Sequence, residues 1–478
     1  MAINYKKLHK MLNPKTVVVV GEKGPNYQFL KAQSDFTGNL YSVQIDKKEI
    51  PGIKKLGIKN YSSLEEVPGT IDLLIIAVPR QVAPFIAAEA IKRKVNGVHF
   101  FTAGFEETKE KIGYELQDKL VELFKDADIP VIGPNCMGIY NKKSSLRFHQ
   151  AQNIASTMPT LKKMNLSFLS QSGTHGVNVT VGAQRSGINV SRSISFGNAL
   201  FVNECDLLEY LINDKSTDII AFYLEGVKDG PRFLQLLNKS KKPVLIWKGG
   251  RNNAGARAVA SHTASMASNY TVWSKLIIDA GGINVNSLDE LINVAKLINF
   301  KEYEIGNTLA LITMTGGQSV AITDTFEDHD FVIPQLSNTS YNELSQFFNV
   351  IGGSYRNPFD AGSTIGNEVA NLNKILNIIG EDKNIRGALV IDMNTRTYTD
   401  SKQNFHEFLN ALRKFKSTYK MPVILIIHTL TSTIMMTDQD VTSRESIAAE
   451  VTQLAIANGL PVFQSFHEAA KAMRLVVK

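Results

Sequence analysis

One histidine in this chain is hard to place in a hydrophobic core. His262 lies in the stretch 248–265, KGGRNNAGARAVASHTAS, whose one branched apolar side chain is Val259. A segment so poor in apolar surface has little to anchor it, so a surface loop is expected. An imidazole presented there suits a nucleophile, because the neutral ring is available near pH 7. Loops of small residues also occur as plain surface decoration. The residues alone leave both readings standing.

Other residues could serve such a nucleophile. Glu225 follows the apolar run IIAFYL at 219–224 and precedes Gly226. A carboxylate at the carboxyl end of a strand faces the ligand crevice of an α/β sheet and can fix the tautomer of an imidazole. The competing reading is a solvated loop glutamate. Ser170-Gln171-Ser172-Gly173-Thr174-His175-Gly176 follows another strand-like run and should open a helix, where small residues leave backbone N–H groups free for an anion such as phosphate. His175 competes with His262 as a catalytic imidazole but reads better as a supporting residue on that helix. GPNCMG at 133–138 is a tight turn after a strand, in which Asn135 offers donors and an acceptor. Cys136 has no histidine near it in sequence and reads as a small buried residue rather than a nucleophile.

These stretches need a scaffold that puts several strand ends together. Short β-branched runs alternate with helix-length amphipathic stretches along the whole chain, which predicts parallel sheets with crossover helices. The first group has strands at 16–20, 40–45, 73–78, 97–101 and 130–132, with helices at 81–94 and 108–127. The second has strands at 166–169, 190–195, 219–224, 244–247 and 283–285. The third has strands at 309–314, 332–334, 387–392, 423–427 and 462–463, after a helix at 288–299. Groups two and three each open on a strand ending in a glycine turn and each close on Gly, a short strand and a helix. An internal duplication is therefore expected. The expected domains are 1–147, 148–302 and 303–478.

Composition removes several classes. The 478 residues carry a net charge of +7 with no long basic block, which argues against nucleic-acid binding and suits an anionic small molecule. Two cysteines without metal spacing argue against a disulfide framework or a metal site and point to a reducing cytoplasm. No apolar run is long enough to span a bilayer, and no secretory leader is apparent. The first βα turn, Gly21-Glu22-Lys23-Gly24, lacks the GxGxxG spacing of a dinucleotide fold, which counts against a nicotinamide-dependent dehydrogenase.

Taken in order, GPNCMG at 133–138, SQSG at 170–173, SFGNA at 195–199, DLLEYL at 206–211, YLEGVKDG at 223–230, AGARAVASHT at 254–263 and RNPFD at 356–360 resemble the NDP-forming acyl-CoA synthetases, the superfamily of succinyl-CoA synthetase. The resemblance covers essentially the whole chain. It implies an N-terminal Rossmann-like CoA-binding domain followed by two flavodoxin-like parallel-sheet domains. It assigns the phosphorylated histidine to His262, its carboxylate partner to Glu225 and the phosphate turn to Ser172, Gly173 and Thr174. Coenzyme A would be held by Gly21, Lys23, Gly24, Val78, Pro79, Asn135 and Cys136. The reaction implied interconverts acyl-CoA, phosphate and NDP with a carboxylic acid, CoA and NTP, through an acyl phosphate and a phosphohistidine. No ATP-grasp segment is present in these 478 residues. The resemblance therefore implies a beta-type ATP-grasp partner that binds ADP or ATP with magnesium, in a hetero-oligomer. Ala264 and Ser268 stand where the family loop has glycines, and His175 stands where small residues are commoner. A non-catalytic CoA-binding protein of the same fold is the alternative.

Overall fold

The computed structural model describes residues 3–152, 164–262, 269–366, 368–393, 402–428 and 441–477, without the side chains of 260–262 and 441–446. Three parallel-dominated sheets organise them. The first is built from β1 (Thr16–Val20), β2 (Asn39–Val43), β3 (Lys59–Tyr61), β4 (Leu73–Ile76), β5 (Val98–Phe100) and β6 (Val131–Ile132). All of its pairings are parallel, in the order β3-β2-β1-β4-β5-β6. Every residue of the β1 run TVVVV and the β4 run LLII is buried, as parallel strands covered on both faces require. Strand order reverses between β1 and β4, which opens a ligand crevice at their carboxyl ends.

The second sheet contains β7 (Gly138–Asn141), β8 (Asn165–Ser170), β9 (Asn189–Ser195), β10 (Ile219–Leu224), β11 (Val244–Lys248) and β12 (Ile283–Val285), ordered β12-β11-β10-β8-β9-β7. Only β7 runs antiparallel, along β9. The third has β13 (Leu309–Thr313), β14 (Phe359–Asp360), β15 (Ala388–Met393), β16 (Val423–Ile427) and β17 (Val462–Phe463), ordered β14-β13-β15-β16-β17. With β7 set aside, sheets two and three share the flavodoxin order 2-1-3-4-5. An identical order twice is what a duplication leaves behind.

Two expectations need correction. Residues 332–334 form no strand; Val332 makes one isolated bridge to Thr308, and the strand beside β13 is β14, within RNPFD. Buried Asn357 sets that pairing: its Oδ1 accepts from Leu311 N at 3.0 Å, and its Nδ2 donates to the carbonyls of Leu309 and Pro334. The stretch before His262 is a helix, Asn253–His262, rather than a loop. Alanine is the best helix former, and four alanines in eight residues outweigh the lack of an apolar anchor. The helix does lie at the surface, with Asn253, Ala254, Arg257 and Ala258 exposed.

Sheets one and two belong to one compact unit. The third sheet forms a second unit with residues 186–188 and everything from Ile292 on. Within the first unit the two sheets are stitched at several points. The GPNCMG turn and the SFGNA turn dock on each other: Asn198 N and Leu200 N donate to the carbonyls of Pro134 and Gly133, and Met137 N donates to Ser195 Oγ at 3.1 Å. Gly197 lies so close that a Cβ there would be 2.4 Å from the Pro134 carbonyl oxygen. The N-terminal helix Tyr5–Leu12 adds Tyr5 OH to Glu209 at 2.8 Å, and Arg192 reaches Asn13 Oδ1 at 2.6 Å. The DLLEYL segment is structural. Asn203 and Asp206 form a capping box at its helix start, and Arg232 bridges Asp206 and Glu209 at 2.8 Å each.

Candidate active site

The crevice of the second sheet opens where β8 and β10 leave it side by side, with Ser170 paired to Tyr223. This register brings SQSG and Glu225 together. Gln171 ties them: its N–H donates to the Tyr223 carbonyl at 3.2 Å, and its side-chain Oε1 accepts from Glu225 N and, at 3.1 Å, from Gly226 N. The sequence reading passed over Gln171 because its role depends on strand pairing. Removing this side chain in Gln171→Ala strands two backbone donors, a loss of about 1–3 kcal/mol. Amide exchange at Glu225 and Gly226 should accelerate by roughly 10- to 100-fold, which hydrogen-exchange mass spectrometry would read. Unchanged protection would show that the clamp is not needed.

The helix Gly173–Arg185 starts at the same crevice. Ser170 Oγ accepts from Ser172 N at 3.0 Å and donates to Ser172 O, and Ser172 Oγ accepts from His175 N at 3.4 Å. Gly173 and Thr174 are helix-start residues whose N–H groups have no intrahelical partner. A Cβ on Gly173 would lie 2.0 Å from Met137 Cγ, so any side chain there must displace Met137, and GPNCMG abuts the anion turn.

Glu225 is half-buried. Its Oε1 accepts from Tyr223 OH at 3.3 Å, while its Oε2 is shut off from solvent and has no hydrogen-bond partner among the described residues. A buried carboxylate oxygen without a donor is costly and calls for a reason, a catalytic role among them. The Lys248 ammonium lies beneath, donating to the carbonyls of Glu225 at 2.8 Å and Gly249 at 2.5 Å. Burial lowers its pKa, against the opposing pull of Glu225. The Tyr223 hydroxyl is held protonated by burial and then by Glu225. His175 stands on the first turn of the helix Gly173–Arg185, its ring against Tyr223 and Trp247. Desolvation lowers its pKa, which keeps it neutral at pH 7.

His262 ends the helix that follows β11; its side chain, and all of residues 263–268, lie outside the described residues. That helix departs from β11 beside the end of β10, where Gly249 N donates to the Leu224 carbonyl at 2.8 Å.

In the first sheet, Gly21 and Val78 meet at the β1/β4 switch point. Gly21 has φ +77°, and a Cβ on it would be 2.2 Å from Val78 Cγ1. Pro79 is exposed on the same rim, Lys23 faces Asp46 at 4.0 Å, and Gly24 N donates to Glu49 at 2.8 Å. Asn135 and Cys136 lie two strands away at the end of β6. Asn135 Nδ2 donates to Asn198 Oδ1 at 3.3 Å. The Cys136 thiol is buried against the Phe100 carbonyl, and burial raises its pKa far out of the nucleophilic range. Its carbonyl accepts from the buried His99 ring, whose pKa burial drives down to about 4. Glu22 explains the missing dinucleotide fingerprint in physical terms. Its buried carboxylate accepts from Phe29 N at 2.6 Å and Leu30 N at 2.9 Å, the helix-start amides that a pyrophosphate would otherwise use.

Among the described residues no three His, Cys, Asp or Glu side chains are grouped to hold a metal, and no helix is long and apolar enough to cross a membrane.

Comparison with known proteins agrees with this layout. Residues 15–142 match a CoA binding domain, and residues 163–298 match a succinyl-CoA ligase like flavodoxin domain. The alpha subunit of acetate–CoA ligase (ADP-forming) II from Pyrococcus furiosus is 32% identical over 360 residues, which is 74% of this chain and 76% of that one. The acetate–CoA ligase (ADP-forming) of Methanocaldococcus jannaschii is 33% identical over 73% of this chain, but the match spans only 48% of its length. A solved structure from Ca. Korarchaeum cryptofilum, dinucleotide forming acetyl-coenzyme A synthetase 1 in complex with phosphate and ADP, shares the fold with a TM-score of 0.77 at 22% identity, covering 98% of this chain and 96% of that one. With a third of its residues shared across three quarters of a Pyrococcus alpha subunit, and the same fold from end to end, the chain belongs to the NDP-forming acyl-CoA synthetase superfamily as an alpha-type chain.

Proposed function

We propose that the chain is the phosphohistidine-carrying subunit of an NDP-forming acyl-CoA synthetase, with residues 1–147 holding CoA, 148–302 performing the transfer and 303–478 forming a second flavodoxin-like domain. The observation that carries this reading is the buried Oε2 of Glu225, without a partner among the described residues, at the strand ends where the helix Gly173–Arg185 starts. A non-catalytic CoA binder has no use for that pairing.

The steps balance as follows. A phosphate oxygen, held at Ser172, Gly173 and Thr174, attacks the thioester carbonyl of acyl-CoA, and CoA leaves as its thiolate. A ring nitrogen of His262 attacks phosphorus, and the carboxylate of the acid leaves. The second ring nitrogen keeps its proton and donates it as a hydrogen bond to Glu225 Oε2, which offsets the positive charge on the ring. Phosphohistidine then passes the phosphoryl group to a nucleoside diphosphate. That acceptor would bind with magnesium on a beta-type ATP-grasp partner, in a cytoplasmic hetero-oligomer. The relative from Pyrococcus furiosus, named as a subunit alpha, supports a partner, and its ADP-forming activity supports ADP as acceptor.

The test uses the full chain, acetyl-CoA and labelled inorganic phosphate. The expected product is an acid-labile, alkali-stable label on His262 with CoA released in equal amount. Binding of CoA without any label would overturn the catalytic reading in favour of a binding protein.

A further inference from the structure

Three rings close one side of the crevice. The centroid of the His175 ring is 4.5 Å from those of Tyr223 and Trp247, and those two are 4.7 Å apart. At these separations aromatic faces and edges are in van der Waals contact, with no room for a further group between them. The triangle adjoins the chemistry on two sides. His175 directly follows Thr174 of the anion turn, and the Tyr223 hydroxyl reaches Glu225. The acyl carbon of an acyl phosphate is one oxygen away from phosphorus, so an acyl chain whose phosphate lies at that helix start must pass beside these rings.

From this we infer that His175 is a specificity-determining residue, a wall that limits the acyl group to short unbranched acids and excludes aryl ones. The inference rests on the ligase reading above.

His175 Nδ1 is shut off from solvent and has no hydrogen-bond partner among the described residues, so that edge of the ring recognises nothing. Only Nε2 could meet a substrate hydroxyl, and His175→Leu, which keeps bulk and removes the nitrogen, separates that role from a wall. The ring is also neutral at pH 7, so it adds no charge beside the phosphate. What it contributes is shape. Cutting it back to a methyl group would leave a notch about one imidazole in size against the phenol of Tyr223 and the indole of Trp247, which touch each other edge to face. An aryl group entering that notch would meet both rings at a tilt, an arrangement that aromatic pairs favour.

The test compares label transfer from acetyl-CoA and from phenylacetyl-CoA, with labelled inorganic phosphate, in wild type, His175→Ala and His175→Leu. CoA titration checks that each variant is folded. Wild type should label well with acetyl-CoA and poorly with phenylacetyl-CoA. In His175→Ala the phenylacetyl-to-acetyl ratio should rise by at least about ten-fold, the order expected for a cavity of a few heavy atoms. His175→Leu refills the space and should stay within a few-fold of wild type. An unchanged ratio in His175→Ala, a shift of equal size in His175→Leu, or a wild type that prefers phenylacetyl-CoA would each overturn the wall. Absence of label with either thioester in wild type would refute the ligase reading itself, and the wall with it.

Discussion

His262→Ala should abolish phosphoryl transfer and leave CoA binding within a few-fold of wild type. The neighbours are poor substitutes: Cys136 is buried with a raised pKa, and His175 has its Nδ1 buried and its ring packed against Tyr223 and Trp247. Removing the atom that forms the covalent intermediate should therefore lower the single-turnover rate by at least about 10³-fold, in line with other nucleophile deletions. The residues proposed to hold CoA belong to the first sheet, and the helix bearing His262 follows β11 of the second. Isothermal titration with CoA and labelling with acetyl-CoA and phosphate measure the two effects separately. A variant that still takes up label at the wild-type rate would move the nucleophile elsewhere.

Glu225→Gln should slow transfer by roughly 10- to 150-fold with little effect on CoA affinity. This substitution keeps the volume, the backbone clamp from Gln171 and an oxygen for the Tyr223 hydroxyl. With that oxygen kept for Tyr223, the amide turns an N–H2 donor where the carboxylate has its second acceptor, so the proposed bond from the imidazole N–H is lost whole. A hydrogen bond to a charged group contributes about 1.5–3 kcal/mol, which sets the range. Because a charge is lost rather than a pKa moved, raising or lowering pH should not restore the rate. Single-turnover labelling between pH 6 and 8 is the measurement, and a rate within three-fold of wild type would mean that Glu225 serves packing alone.

Much of this was legible in the sequence, because parallel strands covered on both faces must be apolar runs. The β-branched stretches at Thr16–Val20 and Ile219–Leu224 admit little else. Ser172, Gly173 and Glu225 could be proposed because they lie within three residues of the ends of such runs, where ligand crevices form. The features that escaped depend on contacts between distant segments. β14 has two residues, and its place is fixed by Asn357 bonding to β13. The Gln171 clamp exists only once β8 and β10 are in register. The partners of the His175 ring come from β10 and β11, some fifty and seventy residues on. The helix ending at His262 was missed for a different reason. Lack of apolar side chains was weighed above alanine's intrinsic preference, and the backbone followed the alanines. The first βα turn lacks the dinucleotide spacing in the sequence, but only the structure shows what its helix start does instead, where Glu22 accepts from Phe29 N and Leu30 N.

The interlocked turns at 133–138 and 195–199 have a mechanical consequence. They lock the first two sheets into one chassis, with Met137 against Gly173 at the join. Flexing between those sheets would tear out several hydrogen bonds at once, so under the proposed function they would serve as a fixed bench rather than as jaws.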